Sequence, residues 1–164
     1  MIDSFLEAIS NSAIGIYIAE DPMAFPWIEV AHVLSLVTVF GSILLVDLRL
    51  MGLASRDYPV NALTRTILPI TWVAFVGAVV TGALLFSSNP YGYWGNTAFK
   101  AKMVLLLLAG LNMIVFHFVT QRGGRMDNLG TPPVGARVAG FLSVTIWLAI
   151  IACGRWIGFT MSPF

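Results

Sequence analysis

Two histidines, His32 and His117, each fall inside an apolar stretch beside a second side chain able to act with them. Glu29 precedes His32 by three residues in WIEVAHVLSL, and Met113 precedes His117 by four in LNMIVFH. Residues three or four apart stack on successive turns of a helix. Glu29 can therefore hydrogen-bond His32, fixing its tautomer or raising its proton affinity. Met113 and His117 can offer a sulfur and an imidazole to one object, although Met at such a spacing also serves ordinary packing. Imidazole and thioether are ligands of haem iron and of copper. An acid and a base, Asp47 and Arg49, close the stretch that His32 opens, and Lys102 enters the one that ends at His117. An ionisable side chain in hydrocarbon costs a few kcal/mol, so one found there has a partner or a function.

Whatever positions these residues must lie in a membrane. Of 164 residues 58% are hydrophobic and only 10% charged, against roughly a quarter charged in soluble domains. So little charge cannot coat a globular core. About 20 mainly apolar residues cross a bilayer as a helix, and four segments qualify, roughly 27 to 48, 66 to 87, 98 to 120 and 137 to 159. The stretches ASRDYPVN, SSNPYGYWGN and QRGGRMDNLGTPPVG between them carry the helix breakers. The expected fold is an all-α integral membrane protein, one domain over 1–164, with four transmembrane helices in an up-down bundle. Arg49, Arg56, Arg65, Arg122, Arg125 and Arg137 fall on one side, against Lys100, Lys102 and Arg155 on the other. The positive-inside rule then puts both termini on the side away from the cytoplasm.

Ahead of the first span, about residues 4–18 show apolar positions at helical spacing, and Ser4 with Glu7 forms a capping box. No basic start or long apolar core marks it as a signal peptide. An amphipathic helix along the outer surface is expected, with a fifth packed element as the alternative.

At about 100° per residue, Glu29 and Asp47 share one side of the first span, with His32, Ser35, Ser42 and Arg49 on the adjoining arc. Lys102, Met103, Leu106, Ala109, Gly110, Met113 and His117 form a stripe on the third, whose small residues and methionines suit a helix or cofactor contact. In the second span Gly77 and Gly82 permit close approach, and Pro69 and Trp72 mark its inner end. Gly140, Ser143, Trp147 and Gly154 give the fourth a grooved face around a large ring. His32 lies about five residues inside the outer boundary and His117 about eighteen, a separation on the order of 20 Å along the membrane normal. One iron cannot take both. Haem would sit at His32, near His117, or between equivalent histidines of two subunits.

Trp27, Glu29 and His32, followed by GSILLVDLRLMG, TGALLF and NTAFKAKMVLLLLAGLNMIVFH, resemble a family of small bacterial four-helix membrane proteins of unassigned function. The same residues resemble, distantly, copper-resistance protein D and the small haem-dependent protoporphyrinogen oxidases. That distant resemblance implies a first-helix histidine ligating haem or metal, a position only His32 occupies, with Arg49 closing the first helix and Lys102 entering the third. Glu29 stands where the oxidase pattern has lysine, which reverses the local charge. The clustered Met or His motifs that suit copper are absent from the sequence.

The function expected is binding of haem b and electron transfer between a quinol and a partner. His32, His117, Met113 and Trp147 are the candidate cofactor residues, His32 and His117 the metal ligands, and Glu29, Asp47, Arg49 and Lys102 the supporting groups. Copper handling and a non-enzymatic accessory role in a larger membrane complex are the alternatives. The expected partners are the lipid bilayer, a quinone, and further copies of the chain or a membrane complex. A net charge of +1 without a basic patch indicates no nucleic acid. No nucleotide loop or nucleophile-base arrangement suggests hydrolysis. The single cysteine, Cys153, allows no intrachain disulfide.

Overall fold

In the computed structural model the residues described are 1–54, 59–116 and 132–161. They form helices α1 (Ile2–Ser10), α2 (Ala13–Glu20), α3 (Ala24–Leu50), α4 (Val60–Ser88), α5 (Pro90–Gly95), α6 (Thr97–Val115) and α7 (Val134–Met161). Four of these, α3, α4, α6 and α7, are long and apolar enough to cross a membrane. At 1.5 Å per residue even the 19-residue α6 reaches about 28 Å, close to the thickness of the hydrocarbon layer.

Side-chain pairings fix how these helices run. On α3 and α4, His32 meets Thr81, Ser35 meets Gly77 and Ser42 meets Thr71. The numbers rise on one helix as they fall on the other, so the two run in opposite directions. Lys102 against Gly154 and Asn112 against Ala139 set the same relation between α6 and α7. Helix α3 also packs on α7, whereas α4 and α6 nowhere bring Cα atoms within 8 Å of each other. The central cluster is Val39, Trp147 and Ile150, surrounded by side chains of all four long helices, including Phe75 and Leu106. A second, of Leu50, Val60 and Ala136, closes the end where Asp47 lies. Outside these clusters the helices expose Leu34, Val73, Leu107 and Phe141, each more than 60% exposed. Exposed apolar patches of this kind mark membrane or protein contact surfaces.

Three local features depart from the sequence reading. The single amphipathic helix is two, because the Ser12 hydroxyl donates to the Ile9 carbonyl at 2.7 Å and accepts from the Gly15 N–H at 3.1 Å, ending one helix and capping the next. Helix α1 starts at Ile2 with Met1 as its cap residue and no side-chain cap, so Ser4 lies inside it and the capping box does not form. Leu6 and Ile18 are buried, and α2 packs on α4. In place of a plain turn, Asn89 caps the short α5 through the Gly92 N–H, with Pro90 in its first turn. Helix α4 runs through Pro69 to Val60, so neither Pro69 nor Trp72 marks its end.

Candidate functional site

His32 lies in the third turn of α3 and turns its ring onto α4. Its Nδ1 is 3.0 Å from the Thr81 hydroxyl. Thr81 has one hydroxyl proton, and it points back to the Gly77 carbonyl at 2.7 Å and, more weakly, the Ala78 carbonyl at 3.3 Å. With that proton on the Gly77 carbonyl, the shortest of the three contacts, the hydroxyl oxygen accepts from the ring and the ring proton is assigned to Nδ1; the Ala78 backbone also hydrogen-bonds the ring. Gly82 makes the fit possible, because a Cβ there would stand 3.1 Å from Cε1 of the imidazole. The hydrogen bond foreseen between Glu29 and His32 is not made. Glu29 is exposed on α3 while the ring swings toward α4, where Thr81 provides the acceptor.

Lys102, in the second turn of α6, is directed inward at the same level. Its Nζ lies 3.7 Å from where a Cβ on Gly154 would be, beside Cys153 of α7, and within electrostatic reach of His32. His32, Thr81, Lys102 and Cys153 thus stand at one depth on four helices, around the side where α4 and α6 stay apart. Above them Phe86 of α4 stacks on Phe99 of α6 at 5.5 Å, with Tyr93 of α5 against both rings. Burial pushes the Tyr93 phenol up from its ordinary value, and the Glu29 carboxylate adds to the effect. Together these groups form a polar level beneath an aromatic roof.

The other expected site residues lie elsewhere. Trp147 is buried in the central cluster against Val39 and Ile150, about two turns along α3 from His32. Met113 is 45% exposed, on the outward face of α6, so it does not present its sulfur to the interior. The packed face of α6 runs through Leu105, Leu106 and Ala109 to Asn112, whose amide donates to the Ala139 carbonyl at 3.1 Å. His117 is outside the described residues. Asp47 and Arg49 are both buried, at 5% and 1% exposure. Two residues apart on a helix, they point about 200° away from each other and are no pair. Ser143 of α7 is the polar side chain that faces the Asp47 carboxyl. Among the described residues no group of three His, Cys, Asp or Glu could hold a metal ion.

Thr81 and Cys153 were missing from the sequence reading. A threonine in an apolar helix ordinarily bonds its own backbone, as Thr81 does, and nothing in its spacing signals a ring across the interface. Cys153 stands beside Gly154, whose small size was the available signal.

Comparison with known proteins gives one match. No curated protein and no solved structure matches the chain, so the likeness to copper-resistance protein D and to the protoporphyrinogen oxidases finds no support. A family model matches residues 2–160. The chain therefore belongs to the family of unknown function DUF6644.

Proposed function

We propose that this is a four-pass, up-down membrane protein that binds haem b in the outer half of a bacterial inner membrane and carries electrons, with quinol as donor. The observation behind this reading is the state of His32. Nδ1 lies 3.0 Å from the Thr81 hydroxyl, the ring is oriented by a neighbouring helix, and with the proton on Nδ1 the Nε2 lone pair is available to a ligand. Metal-bound histidines are held in this way, with the second ring nitrogen donating to an oxygen acceptor.

The remaining residues suit the same group. Lys102 provides a cation inside the bundle for an acidic propionate, and Phe86, Phe99 and Tyr93 offer apolar ring surface beside it. Haem would supply one-electron exchange, with its potential set by the axial ligand and by burial. The chain's part is to orient Nε2, to balance the propionate charge and to exclude water. Copper handling has less support, because Met113 and Met103 are on the exposed face of α6, which leaves the polar level with His32 and Cys153 as ligands among the described residues.

Protein purified from haem-replete cells is expected to be red, with a Soret band that is lost in His32→Ala and kept in Met113→Leu. A colourless preparation, or a Soret band unchanged in His32→Ala, contradicts the proposal.

A further inference from the structure

Asp47 belongs to none of the groups around His32. Fifteen residues further along α3, it lies on the order of 22 Å away. Its carboxyl is buried against α7, where Gly140 lets the helices close to the point that a Cβ would stand 3.0 Å from the Asp47 backbone oxygen and 3.2 Å from Leu50. The Ser143 hydroxyl faces the carboxyl, and among the described residues Oδ2 is enclosed without a hydrogen-bond partner.

A carboxylate in this position lacks what an ion needs. Two charged oxygens offer about four acceptor sites, and among the described residues this carboxyl faces a single hydroxyl. Asp47 also falls in the last turn of α3, the end where the helix dipole is negative and an anion is disfavoured. Among the described residues the charged groups on the surrounding elements do not offset this. Arg49 on the same helix points the other way and is engaged in contacts of its own. Arg65 of α4 and Arg137 of α7 are exposed, and the described inner turns of α6 carry no charged residue. An unmatched hydroxyl costs much less in such a place than an unmatched charge.

We infer that Asp47 is a proton-binding site: its carboxyl holds a proton taken from the aqueous phase at that end of the bundle, between α3 and α7. The proton is the ligand, Oδ2 its seat and Ser143 the group that orients the carboxyl. The site stands apart from any cofactor at His32.

Infrared difference spectroscopy of the full chain in lipid at neutral pH tests this directly. Subtracting the Asp47→Asn spectrum from that of the wild type should reveal a carboxylic-acid carbonyl stretch, which Ser143→Ala moves in frequency. Loss of a carboxylate stretch instead overturns the inference. Should Asp47→Asn not accumulate as a folded protein, Asp47→Glu gives the same answer, by a shift of the acid band if the site holds a proton and of the carboxylate band if it does not. The outcome is independent of whether the protein is red.

Discussion

At the scale of single residues, function depends on a hydroxyl that sequence does not single out. With its proton on its own backbone, Thr81 accepts from His32. Thr81→Val keeps the shape and removes the acceptor. Loss of such an orienting partner lowers metal affinity roughly 10- to 100-fold, and haem titration of the apoprotein should show that loss in Thr81→Val and recovery in Thr81→Ser. Gly82→Leu should abolish binding in the same titration, since its side chain needs the space held by the imidazole. Polar residues in an apolar span and the glycine beside them were legible, because hydrocarbon makes each of them costly or purposeful. Their partners were not, because those are chosen by which helix lies opposite.

At the scale of elements, the glycines separate packing from empty space. A Cβ on Gly140 would press on the Asp47 backbone oxygen at 3.0 Å, which cannot swing aside, whereas one on Gly110 meets nothing within 4 Å. Gly140→Ala should cost about 1–3 kcal/mol, the usual range for overpacking, while Gly110→Ala should be neutral or slightly stabilising through helix propensity. Thermal unfolding in detergent distinguishes the two. The four long helices were readable from hydropathy and length, to within a turn or two at their ends. The break at Ser12 and the short α5 were not, since each rests on a local cap from a polar residue, Ser12 or Asn89, inside a stretch that composition marks only as a loop or an amphipathic run. The stripe on α6 was misplaced by part of a turn, because Met113 resembles core and Asn112 resembles surface, and the structure reverses them.

At the scale of the whole molecule, hydropathy carried the architecture, and the order of neighbours did not follow from it. Helix α3 is the shared one, packed on both α4 and α7 and bearing His32 near one end and Asp47 near the other. That order leaves α4 and α6 apart at the level of His32 and Lys102. If the bundle sits as the arginine distribution implies, both termini are outside, and a phosphatase that folds only outside the cytoplasm should be active when fused after Phe164 and inactive when fused after Arg65. The reverse pattern would turn the molecule over and place His32 at the cytoplasmic face. The central claim, that the free nitrogen of His32 is a haem ligand, is tested most directly by His32→Gly with and without added imidazole. The Soret band should vanish in the variant and return when imidazole fills the space left by the ring. Retention of the wild-type band in His32→Gly, without imidazole, would contradict the account.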